Sequence, residues 1–355
     1  MTTTPPLRCF YLYLTSGCNC ACRHCWIVAD RQGPTGGQFL PVERVRQAIE
    51  QALPLGLNSL KWTGGEPTLH PDFPMLLDLQ AEYRLAGRVE TNGILLTAGL
   101  ARQMRATGVE SVSVSLDGAR AATHEAIRGV TGCFDKTVRG IEHLVAAGYR
   151  PELIFSLQRG NRAELPELIR LAERLGAGRI KINLVQPLLQ GKELTRQGET
   201  LTVAEVLDLA AALAADNVER TALPVELDLP PAFRPLSRFV AGEGGVCDIL
   251  HILGILPRGV YALCGIGEHV AELALGEIHQ NALARIWSTH PVLVSLREGL
   301  PTKLQGVCAD CLLRAACRGN CVAANFQLGR NLFAPFWFCA SALEQGLFPP
   351  SRLRR

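Results

Sequence analysis

The stretch FYLYLTSGCNCACRHC, residues 10–25, places a group of cysteines directly after a predicted strand. The strand is FYLYLT, residues 10–15, where apolar side chains dominate. Three of the four cysteines that follow form the spacing CxxxCxxC: Cys18, Cys22 and Cys25. Three thiolates from one loop can bind three irons of a [4Fe–4S] cube, and the fourth iron is then open to an external chelating ligand.

A structural zinc site is the alternative for the same loop. Zinc is usually bound by four protein ligands that come in paired CxxC units. Cys22 and Cys25 supply one such pair, and His24 is too close in sequence to complete the set easily. The spacing therefore favours the cube. We expect the side chain of Cys20, which lies between two ligands, to point elsewhere.

Strand and helix signals alternate from this stretch through the first two-thirds of the chain. The apolar strands are separated by segments with apolar residues at helical spacing, several of which stop at glycines such as Gly108 and Gly148. Further strands are predicted within residues 58–65, 87–93, 109–118, 151–157 and 179–187. This alternation predicts an α/β fold, a partial (β/α)6 TIM-like barrel with its chemistry at the carboxyl ends of the strands.

The pattern changes after about residue 229. The segments PPAFRPLSRF and AGEGG, residues 230–239 and 241–245, are typical of a connection. The remainder is rich in cysteine and poor in clean periodicity, and such small regions often depend on metal for stability. We therefore predict two domains, a barrel over residues 1–230 and a linker with a small cysteine-rich domain over residues 231–355.

Composition narrows the classes of protein. The chain has 355 residues, 48% of them hydrophobic, and a formal net charge of +3. Its one short basic block is the tail RLRR, residues 352–355, which argues against nucleic acid as the main partner. No signal segment and no run of ~18 apolar residues is present, so we expect a cytoplasmic protein without a membrane span. Thirteen cysteines in that reducing compartment indicate metal ligands, catalytic thiols or small buried residues rather than disulfides.

Several later stretches, each near the end of a predicted strand, help to identify the kind of site to which the cysteine loop belongs. They are TGGEP, ETNG, SLDG and HEAIRG, residues 63–67, 90–93, 115–118 and 124–129. Together with CxxxCxxC they resemble the signature of the radical S-adenosylmethionine (SAM) superfamily, over roughly residues 8–190. One difference is that His24 stands where the family usually has an aromatic residue, with Trp26 two positions later, so stacking on adenine is less certain.

The resemblance implies roles for the residues of these stretches. Glu66 would hold the amino group of the methionine part of SAM, and Arg128 would pair with its carboxylate, which a guanidinium can bind with two hydrogen bonds. The implied SAM contacts are Gly64, Gly65, Glu66, Thr91, Asn92, Ser115, Asp117, Arg128 and, more weakly, Asn183. The implied reaction is reductive cleavage of SAM to a 5′-deoxyadenosyl radical, with electrons from a donor such as flavodoxin or ferredoxin.

A second set of seven cysteines follows in the last third of the chain. They are Cys247, Cys264, Cys308, Cys311, Cys317, Cys321 and Cys339. Their number and order resemble the SPASM domain, which carries auxiliary iron–sulfur clusters in radical SAM enzymes that modify peptides. A zinc ribbon, the alternative, needs only four cysteines.

The resemblance divides these cysteines between two auxiliary clusters, so that three [4Fe–4S] clusters are expected in all. Cys308, Cys311, Cys317 and Cys339 would hold one of them. Cys247, Cys264 and Cys321 would hold the other, which lacks one ligand. We hypothesise that a substrate thiolate, Asp248 or His251 completes it.

Cys9, Cys20 and Cys133 remain outside these clusters. We interpret them as small core or loop residues. The alternative is that a thiol such as Cys20 or Cys133 donates a hydrogen atom to the substrate.

The substrate is harder to predict than the cofactor. Sulfatase-maturing relatives carry an aspartate after the cysteine that corresponds to Cys264, and here Gly265 follows, which argues against formylglycine formation. About ten residues precede the first strand, so we expect no fused leader-binding domain. The main prediction is maturation of a ribosomally made peptide by a thioether or C–C crosslink or another C–H change, with a separate leader-peptide-binding protein as one option. A radical SAM enzyme acting on a small molecule in cofactor or sugar biosynthesis, and a non-catalytic iron–sulfur carrier or scaffold, are the alternatives.

Overall fold

Alternating strands and helices build one twisted sheet in this computed structural model, which describes residues 4–27, 37–216, 223–237 and 246–354. Within those ranges the sheet has ten strands in the order β10-β9-β8-β1-β2-β3-β4-β5-β6-β7. The strands are β1 (Cys9–Tyr13), β2 (Ser59–Thr63), β3 (Ala86–Thr91), β4 (Val109–Ser115), β5 (Glu152–Leu157), β6 (Arg179–Leu184), β7 (Val225–Leu227), β8 (Ile252–Leu256), β9 (Val260–Ala262) and β10 (Ala274–Glu277).

Helices connect the strands of the parallel part and cover its outer face. They are α1 (Val42–Ala52), α2 (Phe73–Glu82), α3 (Ala98–Ala106), α4 (Ala121–Arg128), α5 (Cys133–Ala146), α6 (Leu165–Leu175), α7 (Gln190–Arg196) and α8 (Val203–Asp216). Shorter helices follow the last strand: α9 (Leu283–Thr289), α10 (Pro291–Gly299), α11 (Val307–Asp310), α12 (Arg314–Cys317), α13 (Val322–Gly329) and α14 (Trp337–Glu344). No helix in the described part of the chain is both long and apolar enough to cross a membrane.

Strand pairing confirms the predicted barrel class and extends it. Each strand from β1 to β7 pairs in parallel with the next one along the chain. On the other side of β1, the C-terminal strand β8 also pairs in parallel, with Cys9 opposite Ile252. β9 and β10 then add an antiparallel edge. The sheet thus continues past residue 231, while the predicted connection at residues 241–245 lies outside the described residues and the domain boundary stays a prediction.

Local sequence explains how individual helices begin and end. The side chain of Thr97 accepts a hydrogen bond from the Leu100 N–H and caps the start of α3. At the other end of a helix, Gly176 closes α6 at φ 76°, a left-handed conformation that glycine adopts without steric cost. These caps set where α3 begins and where α6 ends.

The core lies between the sheet and its helices and fixes the strand that precedes the cysteine loop. Phe10 and Leu12 of β1 are fully buried, as are Trp62 of β2 and Phe73 of α2. Burial of each such side chain stabilises the fold by about 1.5–3 kcal/mol. The indole N–H of Trp62 donates to Oε1 of the fully buried Gln80 at 2.6 Å, so this polar group keeps a partner inside the core.

Candidate active site

A cavity of ≈ 370 Å³, hereafter the main cavity, opens where β1 to β6 end. Parallel strands bring their carboxyl ends to one edge of a sheet, which is the usual place of catalysis in such folds. The main cavity collects cysteines from the loop after β1 and polar side chains from the ends of the other strands. Of the predicted site residues, it is lined by Cys18, Cys20, Cys22, Cys25, Gly64, Gly65, Glu66, Thr91, Asn92, Ser115, Arg128 and Asn183.

All four cysteines of the loop line this cavity. The expectation that Cys20 points elsewhere is wrong, because its thiol hydrogen-bonds to Cys18 and Cys22. The loop is so tight that the Cys20 N–H also lies 3.4 Å from Cys18 Sγ. The hydrogen bond from Cys20, with the Arg128 guanidinium nearby, holds the pKa of Cys22 well below its usual range, which favours a thiolate ligand.

The two glycines of TGGEP bring the backbone of the second strand end against the cysteine loop. A Cβ atom on Gly65 would lie 1.9 Å from the carbonyl oxygen of Gly17, and Gly64 has φ 137°. The N–H groups of Gly65 and Glu66 donate to the carbonyls of Thr15 and Gly17. The glycines therefore let the backbone approach the loop itself and hold its cysteines in place.

Glu66 is almost fully buried at the wall of the main cavity. Its Oε1 accepts hydrogen bonds from Thr68 N–H, Thr68 Oγ1 and Thr91 Oγ1, while its Oε2 accepts from the Asn92 N–H at 2.7 Å. Burial raises the pKa of Glu66, and the hydrogen bonds act in the opposite direction. A carboxylate oxygen offers two lone pairs, so Oε2 keeps one acceptor position for a donor group.

Arg128 and Asp117 form a buried ion pair, which corrects the role expected for Asp117. Arg128 Nη2 lies 2.8 Å from Asp117 Oδ2, and Asp117 Oδ1 accepts from the Ser156 N–H at 2.7 Å. Asp117 is fully buried and does not line the main cavity. It points toward the end of α4, so it neutralises Arg128 rather than facing a ligand. The Nε of Arg128 is buried without a hydrogen-bond partner among the described residues.

His24 takes part in the same buried polar network. Its Nδ1 lies 3.2 Å from Gln158 Nε2, and its Nε2 lies 4.0 Å from Asp117 Oδ2. Burial lowers the pKa of His24 and the charge of Asp117 offsets this in part, so the imidazole is neutral near pH 7. Trp26, which also lines the main cavity, packs edge-on against Tyr13 with ring centroids 6.4 Å apart.

Asn183 supplies the clearest sign that the main cavity is built for a ligand. It stands at the end of β6, and its Oδ1 is buried without a hydrogen-bond partner in the described part of the chain. A buried acceptor without a partner costs about 1–3 kcal/mol. A bound molecule that donates to this oxygen would remove that cost.

Sequence reasoning missed two ion pairs inside the barrel. Lys61 Nζ lies 2.6 Å from Glu90 Oε1, and Lys181 Nζ lies 3.2 Å from Asp228 Oδ2. All four residues line the main cavity. The signal was the alternation in SLKWT and RIKIN, where a lysine stands between apolar neighbours that are fully buried on the opposite face.

Four cysteines of the C-terminal region meet in a much smaller cavity of ≈ 20 Å³, hereafter the closed cysteine site. Burial and the neighbouring thiols of Cys308 and Cys311 raise the pKa of Cys317 to about 12. A metal bound there would displace the thiol protons, since only the thiolate is a ligand. The four cysteines are those predicted to share one cluster: Cys308, Cys311, Cys317 and Cys339.

The three remaining cluster cysteines lie within electrostatic reach of one another. Burial is the main cause that raises the pKa of Cys264, followed by the nearby thiols of Cys321 and Cys247. Asp248, one of the predicted fourth ligands, instead accepts from Arg318 at 3.3 Å, and its Oδ1 lies 2.8 Å from His251 Nδ1. Those three groups form a local network of their own.

Tyr13 explains why glycine follows Cys264. A Cβ atom on Gly265 would lie 2.3 Å from Cε1 and Cζ of the Tyr13 ring. Any side chain at this position would therefore require Tyr13 to move. Burial raises the pKa of Tyr13 well above its ordinary value, so the ring is a neutral phenol in contact with the segment after Cys264.

Cys9 and Cys133, which were left outside the clusters, are both buried and do not line the main cavity. Burial raises the pKa of Cys133, at the start of α5, to about 11. Within the described ranges, no three His, Cys, Asp or Glu side chains converge closely enough to hold a single metal ion. The thiolates of an iron–sulfur cube bind different irons, so one ion does not set their spacing.

Comparisons with known proteins agree with this arrangement. Residues 12–184 match the family described as the Radical SAM superfamily. The chain is 29% identical over 330 residues to the mycofactocin maturase MftC of Mycobacterium tuberculosis (strain CDC 1551 / Oshkosh), covering 92% of this chain and 81% of that protein. It is 26% identical over 337 residues to the AdoMet-dependent heme synthase of Methanosarcina barkeri (strain Fusaro / DSM 804), covering 90% and 92%.

A solved structure shares the fold along nearly the whole chain. The structure of anSMEcpe with bound AdoMet and the Cp18Cys peptide superposes with a TM-score of 0.73 at 18% identity, over 96% of this chain and 95% of that one. At this identity the likeness concerns the fold alone. It includes the strands and helices that follow residue 231 as well as the barrel.

Proposed function

Because residues 12–184 match the Radical SAM superfamily, we propose that this chain cleaves SAM reductively and modifies a ribosomally made peptide at a C–H bond. One observation carries the proposal: three thiols with CxxxCxxC spacing share the main cavity with Glu66, Arg128 and Asn183. Thiols alone are compatible with electron transfer. A carboxylate, a guanidinium and a buried amide beside them are the groups that an amino-acid-like ligand such as SAM needs.

The residues present fit a [4Fe–4S] cluster with SAM beside it. Cys18, Cys22 and Cys25 would hold three irons, and the Gly64–Gly65 backbone fixes their loop. When bound, the cluster and SAM supply radical chemistry that removes a hydrogen atom from an unactivated carbon.

The chain's own side chains bind and orient that ligand. The free acceptor position of Glu66 Oε2 suits an ammonium group. The Nε–H of Arg128 can donate to a carboxylate, while Asp117 holds the guanidinium in place from behind. Asn183 Oδ1 can accept from a hydroxyl or amino group deeper in the main cavity.

The C-terminal region closes this cavity and is the proposed site of two auxiliary clusters. Asn320 and Phe336 line the main cavity, and each is close in sequence to a cysteine of the second set. We propose one cluster in the closed cysteine site and another at Cys247, Cys264 and Cys321. They would transfer electrons between the main cavity and a protein donor such as flavodoxin or ferredoxin.

Support for a peptide substrate comes from the relatives. The mycofactocin maturase is named as a maturase, and the anSMEcpe structure contains a peptide. The bond formed would be a thioether, a carbon–carbon crosslink or another C–H change, and a separate leader-binding protein could present the peptide.

The test is anaerobic and has two stages. The reconstituted enzyme is first given SAM and dithionite, and we expect release of 5′-deoxyadenosine that the Cys25→Ala variant does not show. Any short peptide found to be encoded beside the gene is then added, and we expect a mass change in it. Deoxyadenosine release that no neighbouring peptide stimulates would contradict the peptide proposal, and no release at all would contradict radical SAM chemistry.

A small-molecule substrate is the second candidate, favoured by the likeness to the heme synthase. Lys61 and Lys181 in the main cavity are paired with Glu90 and Asp228, so a substrate carboxylate would have to exchange with these partners to reach either lysine. Deoxyadenosine release that rises with a tetrapyrrole carboxylate and not with the peptide would support this candidate.

A further inference from the structure

A second cavity of ≈ 350 Å³, hereafter the side cavity, lies directly beside the main one. It is bounded by the ends of β5 and β6, by the loop that precedes α8 and by α14. None of the predicted site residues lines it. The motifs found in the sequence therefore leave its role unexplained.

The two cavities meet along one segment of chain. Leu184 and Val185 line both of them. Opposite this segment, Phe336 lines the main cavity and Trp337 lines the side cavity. The Trp337 indole N–H donates to Gln186 Oε1 at 2.7 Å, which fixes the indole at the junction. A substrate held in the main cavity thus has its nearest apolar space in the side cavity.

The walls of the side cavity are mainly apolar, with the polar side chains of Thr195, Thr202, Ser341 and Gln345 among them. Leu157, Val203 and Val206 line it and are buried. Arg159 organises its outer loop: the guanidinium donates to the carbonyls of Gly198 and Thr200 and pairs with both oxygens of Glu205. Since Glu205 neutralises this cation, the side cavity offers no uncompensated charge to an occupant.

We propose that the side cavity binds an apolar side chain of the peptide substrate, next to the residue that reacts. This inference rests on the proposed function of the main cavity. A charged group would lose its hydration there without gaining an uncompensated counter-charge, whereas an aliphatic or aromatic group would gain from leaving water. The space is large enough for one or two such side chains, so the substrate would carry them beside its reacting residue.

The experiment measures binding rather than turnover. The probes are two hexapeptides, acetyl-Gly-Gly-Leu-Leu-Gly-Gly-amide and its Ser-Ser counterpart, added to the SAM-loaded holoenzyme under anaerobic saturation-transfer NMR. Ser341→Trp on α14 and Thr200→Trp in the loop before α8 fill the side cavity from two different segments. Leu343→Trp, on the same helix as Ser341 but exposed to solvent, is the matched control.

We expect the wild type and Leu343→Trp to bind the leucine peptide in preference to the serine peptide. Each filling variant should weaken binding of the leucine peptide roughly tenfold, the effect of losing one apolar contact. The affinity for SAM should stay unchanged in all variants.

Three results would overturn the inference. The first is that the wild type binds the two peptides equally or binds neither. The second is that both filling variants still bind the leucine peptide as the wild type does. The third is that the filling variants lose affinity for SAM instead of for the peptide, which would assign the side cavity to the nucleoside. Deoxyadenosine release, measured on the same samples, separates these outcomes from failure of the proposed function, because it depends on the main cavity alone.

Discussion

The main cavity and the closed cysteine site both gather cysteines, yet they differ in size and in the chemistry of their walls. The main cavity measures ≈ 370 Å³ and combines three CxxxCxxC thiols with Glu66 and Asn183. The closed cysteine site measures ≈ 20 Å³, and its four thiols are surrounded mainly by apolar residues such as Leu304 and Phe348.

This difference teaches that the polarity of the wall varies with the number of cysteines proposed as cluster ligands, which is three in the main cavity and four in the closed cysteine site. Four thiols satisfy a cube completely, so an apolar wall that excludes other ligands suits them. Three thiols leave one iron open, and the wall then provides polar groups for whatever binds there. The comparison predicts ligand chemistry in the main cavity and electron transfer or structural support in the closed site.

The largest expected effect comes from removing a ligand in the main cavity. Cys25→Ala should abolish deoxyadenosine release and lower the iron content by roughly four from the roughly twelve per chain that three cubes imply. Cys9→Ala, which alters a buried cysteine outside both sites, is the control. SAM cleavage that persists in Cys25→Ala would remove the distinction between the two sites.

Cys317→Ala tests the closed site in the same way. The iron content should again fall by roughly four, because one cube is lost, while deoxyadenosine release without substrate should stay within about twofold of wild type. The unfolding temperature should fall, since this small region loses its metal. A wild-type iron content that is reproducibly near four would contradict the auxiliary clusters altogether.

Asp117→Asn tests whether the wall of the main cavity depends on its buried ion pair. Arg128 would remain buried without a counter-charge, and the free energy of unfolding should fall by about 3–5 kcal/mol. Glu167→Gln breaks the exposed pair with Arg120, which solvent screens, and should lower the free energy of unfolding far less. Urea unfolding of both variants measures the contrast, and equal losses would contradict it.

His124, next to the pair of Asp117 and Arg128, should make the stability of the fold depend on pH. Burial lowers the pKa of His124 to about 4, while the unfolded chain titrates near its ordinary value of 6.5. The unfolded state therefore binds the proton first as the pH falls, and stability should decrease between pH 6.5 and 4 by up to about 3 kcal/mol.

His124→Gln should remove this part of the pH dependence, whereas His279→Gln, which alters an exposed histidine, should not. The measurement is the free energy of unfolding between pH 7 and 4.5. A slope that is the same in wild type and His124→Gln would show that another group is responsible.

The smallest expected effect concerns the buried amide of the main cavity. Asn183→Ala should raise the dissociation constant for SAM roughly fivefold to tenfold, the cost of one hydrogen bond of about 1 kcal/mol. Calorimetry with SAM measures it, and Asn58→Ala, which precedes β2 and does not line the main cavity, serves as the control. An unchanged constant would mean that Asn183 faces the substrate instead.

Most of the barrel could be predicted from sequence because apolar residues recur with a different period in its strands and in its helices. β1 to β6 follow the apolar runs, and α3, α5 and α6 end at or near the expected glycines. The strand β8, ILGIL, could not be recognised because its five residues are all buried, so it shows no alternation. Its place beside β1 depends on long-range pairing, which local pattern does not encode.

The residues of the candidate site likewise fall into those that local sequence could predict and those that depend on long-range packing. Residue spacing was enough to group the cysteines, since ligands within one loop are close for local reasons. The pairing of Asp117 with Arg128 was missed because it depends on how the end of β4 faces the end of α4. Lys61 and Glu90 were missed because each belongs to a different strand and only the register brings them together.

The pairing of β1 with β8 can form only late in the synthesis of the chain. The strand that leads into the cysteine loop gains its second neighbour only after about two-thirds of the chain has followed it off the ribosome. Such distant pairing forms late and slowly. We therefore expect the loop after β1 to be more accessible during translation than it is once β8 has paired with β1.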